Sequence, residues 1–175
     1  LAERGVGVAH CLESNMKLAS GTAPVPGMLA AGIDVGIGTD GSASNNDVDM
    51  FGEMNTVAKV HKVERMDPTV MSAAETLRAA TLGGATVLGS ADLIGSLEPG
   101  KLADLIVLDL DQPHLTPLYN PVSHLVYAAR GSDVIHSLIN GRVVMRSRQL
   151  TTLDEAAVVE RMHRIGGEIR KMRKE

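Results

Sequence analysis

The segment Ile33-Asp34-Val35-Gly36-Ile37-Gly38-Thr39-Asp40 decides the fold. It is a short apolar run that ends in a carboxylate, a pattern typical of a strand buried in a parallel sheet. A similar run, Gly5-Val6-Gly7-Val8-Ala9-His10, precedes it. Pro24 to Ala31, between the two runs, is predicted to form a short helix that stops at Gly32. The order strand, helix, strand predicts a parallel α/β unit covered by helices on at least one face.

The residues after Asp40 predict more helices. A helix is predicted from Asp49 to Val63, with Asp49 as its N-cap. Before Asp40, directly after the first predicted strand, a polar loop is predicted from Glu13 to Gly21. Two further helices are predicted over Ser72–Ala80 and Leu82–Leu88. One stripe of the Asp49–Val63 helix is predicted to be buried; its residues are Met50, Met54, Val57, Ala58 and His61.

From Ala91 the hydrophobic period changes to that of short strands. Strands are predicted at Leu105–Leu108, Val134–Ile139 and Arg142–Met145, the last two joined by an Asn140-Gly141 hairpin turn. Asp154 to Lys174 is predicted to close the chain as an amphipathic helix.

Composition narrows the classes of function. Hydrophobic residues make up 44% of the 175 residues, but there is one Phe and no Trp, which argues against base-stacking platforms for single-stranded nucleic acid. The net charge of -4 argues against nucleic acid or an anionic membrane as partner, and the basic stretch 161–175 is interpreted as a solvated helix face. Cys11, the single cysteine, excludes an internal disulfide and fits the cytoplasm. We find no signal peptide and no run of the ~20 apolar residues that span a bilayer.

Asp40 is the main candidate for chemistry. It follows a buried strand and opens a loop of small residues, the place where parallel α/β barrels present catalytic groups and metal ligands. A carboxylate there can bind a divalent cation and transfer protons. By position alone, the commoner role of such an aspartate is to cap a turn or the next helix.

Other polar residues are predicted near the same edge. His10 is interpreted as a structural, hydrogen-bonded residue, because no partner histidine lies at i+2 or i+4. Ser14, Asn15 and Lys17 can contact a substrate or brace the loop, and bracing is the commoner role. Gly36-Ile37-Gly38 lacks the third glycine of a dinucleotide-binding turn.

Three stretches resemble a known family. Residues 10–21, 23–26 and 36–46, the last containing Thr39-Asp40-Gly41 and Ser44-Asn45-Asn46, are similar to the 5-methylthioadenosine/S-adenosylhomocysteine deaminases, a group of chlorohydrolase-like amidohydrolases. The run 94–105 is similar to the segment between barrel and β-domain across that superfamily. Leu12 departs from the pattern, since many relatives have proline there.

The resemblance implies an α/β fold: the C-terminal portion of a metal-dependent (β/α)8 TIM barrel plus part of a small β-sandwich. Residues 1–90 would form the last strands and helices of the barrel, 91–150 half of the sandwich and 151–175 a C-terminal helix. It implies that the chain is a C-terminal fragment, and that the remaining metal ligands and the catalytic Glu and His lie upstream of residue 1.

The resemblance also implies a site and a reaction. Asp40 would be a catalytic residue, a metal ligand and a substrate contact, with Asn15 and Ser14 as further substrate contacts. The cofactor would be a divalent metal, Zn2+ first and Fe2+ as alternative. The whole protein would deaminate methylthioadenosine, S-adenosylhomocysteine or adenosine, would need its N-terminal part and would form a homo-oligomer. The competing interpretations are a chlorotriazine hydrolase, a guanine or cytosine deaminase, or a structural fragment without activity.

Overall fold

The computed structural model describes residues 1–172, in which helices connect a parallel and an antiparallel sheet. The strands are β1 (Val8–His10), β2 (Val35–Ile37), β3 (Leu105–Leu108), β4 (Val134–Ile139), β5 (Arg142–Arg146) and β6 (Gln149–Leu150). The helices are α1 (Leu12–Lys17), α2 (Val25–Ala30), α3 (Met50–Arg65), α4 (Ala73–Arg78), α5 (Gly84–Val87), α6 (Pro121–Tyr127) and α7 (Glu155–Met172).

The predicted strand, helix, strand unit is confirmed by the parallel pairing of β1 with β2. Val8 pairs with Val35 and His10 with Ile37, so both strands end at the same level. The N–H of Gly38 donates to the carbonyl of His10 at 3.0 Å, which extends the ladder by one bond. The segments that follow the two strands therefore begin side by side at one edge of the sheet.

One prediction in this region is wrong. The polar loop expected from Glu13 to Gly21 begins as helix α1. A six-residue helix is marginal by itself, so tertiary contacts must stabilise it. Leu12 is fully buried, and the N–H of Glu13 in the first turn donates to the buried side chain of Glu53 at 3.1 Å. Glu13 and Glu53 are 40 residues apart in sequence, so the local pattern around residues 13–21 did not reveal the helix.

Helix α3 confirms the helix predicted from Asp49 to Val63. The side chain of Asp49 accepts from the N–H of Phe51 at 2.9 Å and caps the helix. Four residues of the predicted stripe are buried, and Met50 is half-buried; the buried ones are Met54, Val57, Ala58 and His61. The helix ends at Arg65, and Met66 takes the left-handed conformation that stops it.

The two helices predicted over Ser72–Ala80 and Leu82–Leu88 are one continuous helical run. A π-helical segment, Ala79–Gly83, joins α4 to α5, and the backbone of Gly83 and Gly84 stays helical. This run lies directly against β2. A Cβ atom added to Gly36 would lie 2.7 Å from the Cα of Gly84, and one added to Gly83 would lie 2.6 Å from the carbonyl oxygen of Val35. The close approach of helix and strand therefore requires glycine at positions 36 and 83.

The antiparallel sheet has the order β3-β4-β5-β6. Asn140 and Gly141 both have positive φ, 49° and 74°, so the predicted hairpin turn between β4 and β5 is confirmed. Strand β6 was not predicted. The N–H of Gly131, just before β4, donates to Asp49 at 3.0 Å and ties this region to α3. The division into domains at residues 90 and 150 stays a prediction.

Helix α7 confirms the predicted C-terminal helix as far as Met172; residues 173 and 174 of that prediction lie outside the described residues. None of the described residues of α7 is buried. The solvated face expected for the basic stretch agrees with this exposure, although the apolar residues Val158, Val159 and Met162 are exposed as well. Within residues 1–172, no helix combines the length and apolar character needed to cross a bilayer.

The adjacent glycines of the helical run give a matched test of the packing. Gly83→Ala should lower the free energy of unfolding by about 1–3 kcal/mol, because its Cβ meets the backbone of β2. Gly84→Ala should raise it by up to about 1 kcal/mol, because its Cβ has no neighbour nearer than 3.8 Å and alanine favours helix. Denaturant unfolding followed by circular dichroism measures both. Equal effects of the two substitutions would contradict the close approach.

Candidate functional site

Asp40 lies at the end of the parallel pair where both strands stop. It follows Ile37, the last residue of β2, by three positions and is exposed. Its φ of 60° is left-handed, a conformation that few residues other than glycine adopt and that aspartate tolerates better than most. Such backbone outliers persist where surrounding contacts hold them, often at functional sites.

Three donors hold the Asp40 carboxylate. The hydroxyls of Ser44 and Ser14 donate to Oδ2 at 2.6 and 2.8 Å, and the N–H of Gly41 donates to Oδ1 at 2.7 Å. The hydrogen bonds from Ser44, then Ser14, then Gly41 lower the pKa of Asp40 below its usual value. Asp40 is therefore a carboxylate at neutral pH, the form that can bind a cation.

Helix α1 braces the loop that follows Asp40. Lys17, one turn after Ser14, donates from Nζ to the carbonyl of Ala43 at 3.3 Å and to the side chain of Asn46. The bracing role favoured for Lys17 is confirmed. Asn15 lies half-buried on the same helix. Substrate contacts by Ser14 and Asn15 stay predictions.

His10 is the buried, hydrogen-bonded residue that the sequence favoured. Its Nε2 lies 3.2 Å from Nε2 of His61, and the two side chains are fully shielded from solvent. Burial, followed by the charge of His61, lowers the pKa of His10 to about 4, and burial also lowers the pKa of His61. Both rings are neutral at pH 7, so Nε2 of one ring carries a hydrogen and donates it to the unprotonated Nε2 of the other. Nδ1 of His61 faces Oε2 of Glu64 at 3.3 Å without the alignment of a hydrogen bond.

Sequence reasoning missed Ser44, Asn45 and Glu53 as parts of this site. Glu53 is fully buried, and burial is the main cause that raises its pKa. Its Oε1 accepts from the N–H of Glu13 at 3.1 Å, and its Oε2 from Nδ2 of Asn45 at 3.4 Å. The available signal was its helical spacing. Glu53 lies four and eight residues before Val57 and His61, on the stripe that the sequence assigned to the core.

Within residues 1–172, no group of three or more His, Cys, Asp or Glu side chains is arranged to hold a metal ion. Asp40 can supply one oxygen ligand, whereas a protein zinc site uses three or four protein ligands. The described residues therefore provide part of a metal site at most.

Comparison with known proteins gives one family and several close relatives. The model of the amidohydrolase family matches residues 1–144. The chain is 58% identical over 170 residues to a 5-methylthioadenosine/S-adenosylhomocysteine deaminase of Syntrophobacter fumaroxidans, covering 97% of this chain and 39% of that protein. The chain thus spans about two fifths of the length of this relative.

Solved structures give the same result. An adenosine deaminase from Xanthomonas campestris with bound zinc superimposes with a TM-score of 0.94 at 48% identity, covering 97% of this chain and 39% of that one. An atrazine chlorohydrolase from Arthrobacter aurescens complexed with zinc gives a TM-score of 0.85 at 31% identity, over 91% of this chain and 36% of that one. These superpositions confirm the predicted fold class, an α/β portion of a larger TIM-barrel fold.

The three donors on Asp40 can be tested by titration. Ser44→Ala should raise the pKa of Asp40, because it removes the strongest of the hydrogen bonds that favour the charged form. Ser14→Ala should raise this pKa less. Ser42→Ala, a change in the same loop away from these bonds, should leave it unchanged. The 13C shift of the Asp40 carboxyl in metal-free protein, followed against pH by NMR, measures the pKa. Identical titrations in all three variants would refute the assigned bonds.

Proposed function

Because this chain belongs to the amidohydrolase family, we propose that the whole protein is a metal-dependent deaminase of adenine nucleosides. Its substrates are 5-methylthioadenosine, S-adenosylhomocysteine or adenosine, and its products are the inosine analogue and ammonia. The 58% identity to the Syntrophobacter deaminase supports this substrate class. The observation that carries the proposal is an anionic, exposed Asp40 at the strand end where barrel enzymes place their chemistry.

A divalent cation fits Asp40. The carboxylate is exposed and ionised, and Oδ1 accepts a single hydrogen bond, from Gly41, so lone pairs remain on it. Zinc is the first choice, because the similar adenosine deaminase and atrazine chlorohydrolase structures contain it. Fe2+ stays the second choice, since a carboxylate oxygen does not discriminate between them. When bound, the cation supplies Lewis-acid activation of water at neutral pH.

The residues of this chain act on protons and on orientation. Asp40 holds one ligand position and accepts a proton from the attacking water, and it passes that proton on towards the departing ammonia. The hydroxyls of Ser14 and Ser44 fix Oδ2, so Oδ1 would face the cation. Oδ2 would take up the proton when one of these hydroxyls, which rotate about their C–O bonds, turns its hydrogen away. Asn15 on α1 is proposed to contact the nucleoside.

The reaction needs polypeptide beyond the residues described. Strands β1 and β2 pair only with each other here, although parallel sheets are ordinarily buried on both faces and flanked by further strands. Ala9 in β1 is exposed, and Val6 just before it is 45% exposed. We propose that the N-terminal part of the protein supplies the neighbouring strands and the remaining metal ligands, and that the whole enzyme is a homo-oligomer.

A second candidate is hydrolysis of a chlorotriazine on the same scaffold. The atrazine chlorohydrolase supports it, but at 31% identity against 58% for the deaminase. Guanine deamination is a weaker candidate, since the similar guanine deaminase of E. coli is only 29% identical, with a TM-score of 0.75. No observation on the described residues favours cytosine deamination or a structural fragment without activity. Turnover of methylthioadenosine, adenosine, guanine, cytosine and a chlorotriazine by the whole protein separates these reactions.

Asp40→Asn should abolish deamination by the whole protein. We expect kcat to fall by more than about 100-fold, beyond the usual range for residues outside the ligand shell, and zinc to dissociate more readily. The fold should remain, because asparagine also tolerates the left-handed conformation. Steady-state kinetics and bound-zinc analysis measure the two effects.

Asp47→Asn is the matched control for this test. Asp47 lies in the same loop, and its carboxylate accepts from the N–H of Asp49 and is not bonded to Asp40. This variant should keep its activity and its zinc. Full activity in Asp40→Asn would remove Asp40 from the mechanism.

A further inference from the structure

Glu53 is a buried carboxylate that the proposed mechanism does not use. Its side chain is fully shielded from solvent, and none of the ion pairs among residues 1–172 includes it. Burying a charged group without an opposite charge is costly unless hydrogen bonds satisfy it. A neutral glutamine of nearly the same size would avoid this cost, so the carboxylate needs an explanation.

Its bonds explain why a carboxylate is present. Oε1 accepts from the N–H of Glu13 at the start of α1, and Oε2 accepts from the side-chain amide of Asn45 in the loop. The N–H of Leu12 also favours the charged form. A carboxylate is acceptor-only on both oxygens, whereas glutamine offers one acceptor oxygen and one NH2 group. Glutamine would therefore set a donor against either the N–H of Glu13 or the amide of Asn45.

Glu53 is bonded to Glu13 and Asn45, and each of these is next in sequence to a serine that is bonded to Asp40. Glu13 precedes Ser14, and Asn45 follows Ser44, and these two serines donate to the same oxygen of Asp40. One carboxylate thus anchors both segments that grip Asp40.

Asn45 adds a second connection. Besides its long bond of 3.4 Å to Glu53, its Nδ2 donates to the carbonyl oxygen of Thr39 at 2.8 Å. That carbonyl belongs to the peptide bond joining Thr39 to Asp40, so the amide fixes the peptide plane before the left-handed Asp40. Both hydrogens of the amide are used, and Asn45 is itself buried.

From these contacts we infer that Glu53 is a positioning residue for Asp40, acting through the backbone of α1 and the side chain of Asn45. The inference rests on the proposed function, since the geometry it maintains is that of the proposed metal ligand. Glu53 is fully buried, so it would act through these contacts and not by touching the substrate or the metal. Its substitution should change the placement of Asp40 without removing any group that reacts.

The test uses the whole zinc-loaded protein and its Glu53→Gln variant. We expect kcat for 5-methylthioadenosine to fall about 10- to 100-fold and the zinc dissociation constant, measured by chelator competition, to rise by a similar factor. KM should change less than kcat, because Glu53 is bonded to the N–H of Glu13 and to Asn45 and makes no bond to Asn15, the proposed nucleoside contact. Thermal unfolding of each variant measures the accompanying loss of stability.

Asn55→Ala is the matched control. Asn55 lies in the same helix and donates from a half-buried position to the carbonyl of Tyr127 at 3.0 Å, with no bond to the loop. It should lose stability but keep kcat and zinc affinity. If Glu53→Gln changed kcat and zinc affinity no more than Asn55→Ala at similar thermal stability, Glu53 would be a structural residue only and the inference would be overturned.

Asn45→Ala tests the same connection from the loop and leaves helix α3 intact. It should lower kcat as well, and the double variant with Glu53→Gln should lose less than the product of the two single losses, because the two residues share one bond. Part of each loss should still add, since Glu53 also holds the N–H of Glu13 and Asn45 also holds the carbonyl of Thr39. Independent, multiplying losses would contradict a shared path. If the unsubstituted protein bound zinc but deaminated no adenine nucleoside, the proposed function would fail; the chelator competition would still decide whether Glu53 positions Asp40.

Discussion

Two serine hydroxyls from segments that follow different strands donate to one oxygen of Asp40. Ser14 belongs to α1, directly after β1, and Ser44 to the loop after β2. The rest of the site depends on this shared contact, because it fixes an exposed carboxylate that would otherwise rotate in solvent. The same bonds lower its pKa and keep it ionised. Orientation and charge, the two properties that a metal ligand needs, therefore come from one set of contacts.

The fold brings the serines together through its parallel register. Because β1 and β2 end at the same level, α1 and the loop start as neighbours. Behind the strands, Gly83 of the α4–α5 run and Gly36 of β2 allow helix and sheet backbones to approach closely. Beneath the strand ends, α3 carries Glu53, whose two oxygens join α1 to the loop. The buried layer below the strand ends therefore positions the exposed Asp40.

Much of this arrangement was predictable from the sequence. Apolar runs and glycine or proline boundaries predicted β1, β2 and α2, and the asparagine-glycine turn predicted the hairpin. Asp40 stood out because it ends a buried strand. Helix α1 was missed because its stability comes from the burial of Leu12 and from a bond to a residue 40 positions away. Ser44 and Asn45 belonged to a recognisable loop, but nothing local indicates that one holds Asp40 and the other Glu53. Such roles depend on long-range contacts that hydrophobic periodicity does not encode.

The central claim is that Asp40 binds a divalent cation at the mouth of a barrel that this chain builds in part. A crystal structure of the whole protein loaded with zinc tests it most directly. We expect an oxygen of Asp40 at about 2.0–2.2 Å from the zinc, with Ser14 and Ser44 still bonded to the carboxylate. Zinc held entirely by other residues, with both Asp40 oxygens more than about 4 Å away, would contradict the account.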